Sequence, residues 1–490
     1  MNILCMDAGT SGMRGIVFDH MGERIYEYRE TYRPVYLENG QVEQDPADWE
    51  RALYRILRHV AKEVPGTVDA ISFTAFRSSV IPVDENVRPL CPAMMWQDKR
   101  ADVLCEQMRE QNERVAALSG ARIHPVFSGA KMRWIRENVQ DIYENTFKFM
   151  VAADYLLFLL TGKICTDHTY GSRSNLMNLQ KAEWDEELLS IFHVERSRLC
   201  PLVPPGSVCG YTTDCLQQAT GFPAGVPVIT AGGDQQCGAL GQGVVRPGIL
   251  SVTAGTGGFL ITNVDRVPEG LDEKIICNAS SVRGQYILEY SMLTCCSAYD
   301  WFRKEWFGDL SLEEMERMLA QTSPGAHGCL CVPYFMGRST PDWNKGARGA
   351  FFHLSEDVTR WDMMRSLLEG LCYEIDNGIE ILGNYVRPSE ILVNGGLTNS
   401  DLFNKMQADI YGKKIMRRGR ADATARGALI AALVSLGVYD NEAEAFDVIS
   451  EKDRVEMYHP DEKMKRFYAD NREKMNLLYE GCHFLEETVR

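Results

Sequence analysis

Two stretches of this 490-residue chain follow one pattern. ILCMDAGTSGMRGIVFD occupies residues 3–19, and ILSVTAGTGGFLITN occupies residues 249–263. Each is an apolar run, a turn rich in glycine and hydroxyl residues, and a second apolar run, which together spell a β-hairpin. Thr10 and Thr256 hold matching places, half a chain apart. A chain that opens each half with the same hairpin is constrained to two similar domains. The spacing places their boundary near 241–248, giving domains of residues 1–244 and 245–490.

Between the hairpins, strand and helix patterns alternate. Residues 69–74, 78–83, 226–231 and 390–393 read as strands. Residues 46–62, 361–382 and 425–436 carry helical apolar spacing, with Asp45 placed to cap the first of them. The apolar run 155–160 is short enough to be a core helix. Strands alternating with helices predict an α/β fold.

Bulk composition excludes some partners. With 52 basic and 68 acidic side chains the formal charge is −16, which disfavours nucleic acid and anionic membranes. No run approaches the ~18 apolar residues of a membrane helix, and the apolar start ends at Asp7, so no signal peptide is expected. The 15 cysteines are scattered, without a CxxC pair or clustered histidines. That argues for small buried hydrophobes in a reducing, cytoplasmic setting and against a zinc site.

Four segments carry candidate chemistry. Backbone N–H groups of a Gly-rich turn approach phosphate closely, and a hydroxyl adds a donor. Thr10, Ser11 and Gly12 would hold one part of a triphosphate; Gly255, Thr256, Gly257 and Gly258 another. Neither turn matches the GxxxxGK[ST] or GxGxxG patterns, which removes the P-loop and Rossmann readings. GGDQQCGALGQG, residues 232–243, sets Asp234 after a strand and two glycines. It is either the first acid of a helix or a carboxylate that accepts the proton of an attacking hydroxyl. NGGLTNSDLFNKMQADIYG, residues 394–412, puts Gly395 and Gly396 between a strand and a helix. They serve either a tight turn or the close approach of an adenine ring or phosphate.

These motifs, in this order over nearly the whole length, resemble the FGGY carbohydrate kinases of the actin and hexokinase-like ATPase superfamily. DAGTSGMR resembles the first phosphate motif of that family. FSGAKMRWIREN, with Lys131 and Trp134, resembles its first signature, although Val126 stands where another residue type is usual. AADYLLFLLTGKICTDHTYGSRSNLMNL resembles the substrate-domain segment, GGDQQ the catalytic-aspartate segment and TAGTGG the second phosphate motif. VPYFMGRSTP with GARGAFFHLS resembles the second signature, with His353 where glycine is common. ADATARGALIAAL resembles the late helix of the ATP domain.

The resemblance implies two actin-like, ribonuclease H-like domains with a nucleotide and sugar cleft between them, the first for sugar and the second for ATP. It implies ATP-dependent phosphorylation of a hydroxyl on a small sugar or polyol, with Asp234 as catalytic base. Arg77, Ser78, Trp96, Asp98, Asp234 and Gln235 are the implied substrate residues. Thr10, Ser11, Gly12, Arg14, Gly255, Thr256, Gly257, Gly395, Gly396 and Ser400 are the implied ATP residues. Mg²⁺ is expected near Asp7 and Asp234, through water. The implied partner is the small molecule; a homodimer is compatible with the family.

The branch signals diverge. Arg77 and GDQQ resemble glycerol kinases, which usually carry Glu at position 78 and an aromatic at 126. WQDKR and PYFMGRSTP resemble xylulose and gluconate kinases, which usually carry Met-His at 76 and 77. Autoinducer kinases also share the Arg. A ketopentose such as xylulose is the expected substrate, with glycerol, gluconate and an autoinducer-like diol as alternatives. An actin-like ATPase switch or regulator is the alternative of another class.

Overall fold

The computed structural model describes residues 1–489 except 65, 273, 309, 420 and 421, with side chains as far as residue 482. Ala421, first residue of the late-helix motif, and Arg490 lie outside the described residues. The chain forms two compact units. One comprises Met1–Arg246, Asn263–Ile287 and Ala421–Lys452; the other comprises Pro247–Thr262, Leu288–Arg420 and Asp453–Arg490.

The first unit is built on β1 (Asn2–Gly9), β2 (Gly12–Asp19), β3 (Arg24–Thr31), β4 (Ala70–Ala75), β5 (Val208–Tyr211) and β6 (Pro227–Gly233), in the order β5-β6-β4-β1-β2-β3. β1 runs antiparallel to β2 and parallel to β4, which runs parallel to β6. β4, AISFTA, is buried along its whole length, as befits an inner strand with parallel neighbours covered on both faces. β3 is the edge and alternates charged with aromatic side chains. Helix Pro46–Glu63 starts on Asp45, whose carboxylate accepts from Ala47 N, and buries Trp49, Leu53, Ile56, Leu57 and Val60. It lies so close to β2 that a β-carbon at Gly15 would stand 2.4 Å from Ile56 Cγ2.

The second unit repeats this plan. Its strands are β7 (Ile249–Ala254), β8 (Gly258–Val264), β9 (Tyr286–Met292), β10 (Glu390–Asn394), β11 (Ile415–Arg418) and β12 (Val455–Tyr458). They follow the order β9-β8-β7-β10-β11-β12. β7–β8 is antiparallel, β7–β10 and β10–β11 are parallel, and β11–β12 is antiparallel. Each of these six strands has a counterpart in the first sheet; a seventh, Ile276–Ala279, lies beyond β9 and has none. The repeated hairpins therefore head two copies of one topology.

One expectation needs amendment. Residues 78–83 do not form one strand: only Ile81–Val83 is strand, because Ser78 adopts φ 70, a left-handed conformation that ends extended structure. The segment around the Ala423–Ser435 helix belongs to the first compact unit. The physical reason is glycine. A β-carbon at Gly241 would lie 1.9 Å from Ala423 O, and one at Gly427 would lie 1.9 Å from Cys237 O. Helices Asp234–Gln242 and Ala423–Ser435 thus pack backbone to backbone. Among the described residues no helix is long and apolar enough to cross a membrane.

Candidate active site

The parallel strands β4 and β6 end side by side, with Gly232 opposite Thr74 and Gly233 opposite Ala75. Just beyond these strand ends stand Arg77 and Asp234. Arg77 Nε lies 3.6 Å from Asp234 Oδ1. Room for this contact comes from Gly233, where a β-carbon would stand 2.6 Å from Arg77 Cδ. Asp234 opens its helix, and its Oδ1 accepts from the Gln235 amide at 2.8 Å. Burial pushes the Asp234 carboxyl up to about 6; Arg77 opposes the rise and Asp7 adds to it. A quarter of the side chain still reaches solvent, so the carboxyl is both desolvated and accessible. That suits a general base working near neutral pH.

Asp7, on β1, is held by Arg14 on β2, Nη2 to Oδ2 at 2.8 Å. Arg14 Nη1 reaches Asp422 Oδ1 at 2.6 Å. Burial raises the Asp7 carboxyl, and the Arg14 hydrogen bond offsets part of the rise. At the hairpin turn the Trp96 indole Nε1 donates to Thr10 Oγ1 at 3.1 Å. Trp96 is 39% exposed, which leaves a flat apolar face beside the turn. Ser11 is exposed; Gly12 backs onto β3, where a β-carbon would meet Glu30 O at 2.7 Å. Close strand packing is reason enough for that glycine.

Asp98 is not brought to this group. Its side chain is 0% exposed. Its oxygens accept from Val42 N, from Arg100 N and from the Arg100 guanidinium. The carboxylate is consumed in holding its own turn, because Arg100, two residues on, folds back over it. Ser78 is buried, its Oγ turned to Arg173 O at 3.4 Å.

In the second unit the turn 255–257 is strapped to helix Cys296–Phe307. Thr256 O accepts from Cys295 N and Gly255 O from Cys296 N, while the Thr256 side chain is exposed. Gly257 and Gly395 are both required by backbone proximity: β-carbons there would lie 2.5 Å from Met292 O and 2.2 Å from Ala254 O. Gly395 has φ 101, and Gly396 is exposed at the same turn. Ser400 serves as N-cap of helix Asp401–Tyr411, accepting from Phe403 N at 3.1 Å.

The structure adds residues that sequence reasoning did not name. Arg173 is buried, stacks over Phe127 at 4.7 Å, and directs Nη1 to Asn278 Oδ1 at 3.5 Å. It also lowers the Asp234 carboxyl. Its signal was present: Arg173 is the one charge in residues 169–179. Gln236 and Asn278 are buried, and among the described residues Gln236 Oε1 and Asn278 Nδ2 find no hydrogen-bond partner.

The description "FGGY family of carbohydrate kinases, N-terminal domain" matches residues 2–241, and the C-terminal domain of the same family matches residues 250–436. The chain belongs to the FGGY family of carbohydrate kinases. It is an enzyme, a phosphotransferase with an alcohol group as acceptor, of two-domain α/β fold. Glycerol kinase 2 of Thermotoga maritima is 29% identical, covering 97% of this chain and 98% of that protein. The gluconate kinase of Lactobacillus acidophilus superposes with a TM-score of 0.93 at 21% identity, over 98% of each chain. A ligand-bound xylulose kinase of the same organism gives 0.92 at 21% identity, again over 98% of each. Structural likeness at such identity speaks for the fold of this FGGY chain and leaves the sugar to the pocket.

Proposed function

We propose that this FGGY kinase transfers the γ-phosphoryl group of ATP to a hydroxyl of an open-chain sugar or polyol longer than glycerol, a ketopentose such as xylulose. The observation that carries this reading is Ser78. Glycerol kinases usually carry Glu here; this chain has a short hydroxyl already turned to Arg173 O. A carboxylate acceptor for two neighbouring hydroxyls is therefore missing, and its volume is left for a longer chain. Glycerol is the second reading, favoured by the name of the Thermotoga relative.

Asp234 takes the proton of the attacking hydroxyl, and Arg77 orients the substrate while holding the base. Trp96 offers its ring to the carbon face of the sugar. Thr10, Ser11 and the glycines of both hairpins donate to phosphate oxygens, the chief need of a transfer that is mostly positioning and charge neutralisation. Gly395 and Gly396 leave space for the nucleotide. The donor set fits Mg²⁺ in a particular manner. Asp7 and Asp234 are carboxylates near enough that the charge of one raises the proton affinity of the other, and together they would hold a metal through its waters. When bound, the metal neutralises triphosphate charge.

The test is an ADP-release assay over pentuloses, aldonates, polyols, autoinducer-like diols and glycerol. A ketopentose with the highest kcat/KM supports the reading. Glycerol in first place replaces it with the second reading.

A further inference from the structure

β4 and β6 deliver Arg77 and Asp234, but their pairing is not regular. The register shifts between Thr230 and Gly232, directly before the strand ends, as at a bulge. A bulge disrupts the ladder locally, so the ladder alone specifies the register beyond it poorly. At this point one hydroxyl spans both strands. Tyr170 OH accepts from Ala75 N at 3.0 Å and donates to Gly232 O at 2.9 Å. Ala75 is two residues before Arg77, and Gly232 two before Asp234. Thr74 Oγ1 donates to the same Gly232 carbonyl at 2.7 Å.

Tyr170 is itself fixed. It is 2% exposed and sits in the short helix His168–Gly171, whose N-cap is Asp167. The neighbouring Thr169 Oγ1 accepts from Gly233 N at 2.8 Å and donates to Asp167 Oδ1. A buried tyrosine usually finds some partner for its hydroxyl. Here the partners are all backbone groups, Ala75 N and, at 3.4 Å, Ala75 O on one strand and Gly232 O on the other, at the place where the register shifts.

We propose that Tyr170 is a positioning residue for phosphoryl transfer: its hydroxyl sets the offset between the strand ends that present Arg77 and Asp234. The inference rests on the reading of those two residues as substrate-binding and proton-accepting groups. A displacement of about 1 Å at a reacting centre costs on the order of a hundredfold in rate. Loss of one strap, with Thr74 still in place, should cost less.

The experiment is Tyr170→Phe, which keeps the ring and removes the hydroxyl, in the full-length enzyme. The expected result is a split. Turnover with the best sugar falls on the order of tenfold and the sugar KM rises, while the ATP KM stays within about twofold of wild type at an unchanged folded fraction. A merely structural tyrosine would scale all constants with the folded fraction; that outcome, or unchanged sugar constants, overturns the proposal. Should Tyr170→Phe fail to fold, Thr74→Val carries the test. It removes the other donor to Gly232 O, and unaltered sugar constants there overturn the strap. Asp234→Asn is measured alongside. If it stays active, the reading beneath the proposal fails; if it is inactive while Tyr170→Phe behaves as wild type, the strap alone fails.

Discussion

Arg77 Nε stands 3.6 Å from Asp234 Oδ1, a cation and a carboxylate delivered by the adjoining ends of two parallel strands. Burial lifts the carboxyl to about 6, with Arg77 and Arg173 opposing the rise and Asp7 adding to it. The carboxylate is the active form of a base. kcat/KM for the sugar should therefore fall about tenfold per pH unit below about pH 6, above the range of an ordinary aspartate. Asp234→Asn should lower turnover by roughly 10²–10⁴ with ATP affinity unchanged. An acid limb that survives in the Asn variant would assign the titration to another group.

The pocket can be pushed toward glycerol. Ser78→Glu with Val126→Tyr restores an acceptor and fills volume. A charge-assisted hydrogen bond is worth roughly 1.5–3 kcal/mol net, or about one to two decades of affinity. The ratio of kcat/KM for glycerol to that for the best sugar should rise by at least about tenfold; overpacking would subtract from the gain. A ratio that does not move would show that neither position contributes to selectivity.

The helix pair Asp234–Gln242 and Ala423–Ser435 depends on Gly241 and Gly427. Alanine raises helix propensity by about 1 kcal/mol over glycine, so an unpacked site would gain stability. Here the new methyl meets a carbonyl oxygen at 1.9 Å. Gly241→Ala or Gly427→Ala should destabilise by about 3 kcal/mol or more, the upper end of overpacking costs. Gly383→Ala, where nothing lies within 4 Å, is the control and should be neutral or mildly stabilising. Urea unfolding midpoints separate these outcomes.

Asp154 gives a stability signature away from the site. It is buried in the first turn of helix Ala152–Thr161, accepting from Val151 N at 3.0 Å. Burial pushes its carboxyl from 3.8 up to about 8. Between those values the folded chain keeps a proton that the unfolded chain releases, so this group's contribution to stability is full below about pH 4 and is lost as pH rises to about 8. Asp154→Asn keeps an acceptor for Val151 N and removes the titration. Its stability relative to wild type should increase steadily across that window; a constant difference at all pH values would refute the assignment.

What was legible in the sequence is what neighbours in sequence decide. Both hairpins lie where their alternating apolar runs and Gly-rich turns put them. Asp45 caps helix Pro46–Glu63 because cap and amide are two residues apart. Asp234 was readable at the end of a strand, from the two glycines that precede it, whereas Arg77 came only through the family resemblance. Asp98 shows the limit: the family resemblance names it for substrate hydroxyls, and no local pattern foretells that Val42, from a distant strand, and Arg100 donate to it. Ser78 shows another, since a left-handed residue at the head of the segment delays a strand that the sequence pattern starts there.

The sequence by itself determined a duplicated α/β topology, two Gly-rich hairpin turns and a carboxylate at a strand end, because period-2 patterning, turn chemistry and strand-to-helix motifs act over a few residues. Only the tertiary structure decided which polar groups share a volume. Arg173 acting through its charge on Asp234, Asp422 bonded to Arg14 and Tyr170 across Ala75 and Gly232 are pairings of residues far apart in the chain. Such pairs arise from the folding of one sheet and the close approach of two glycine-bearing helices, and no local pattern encodes a distance between segments that meet only after the core has closed.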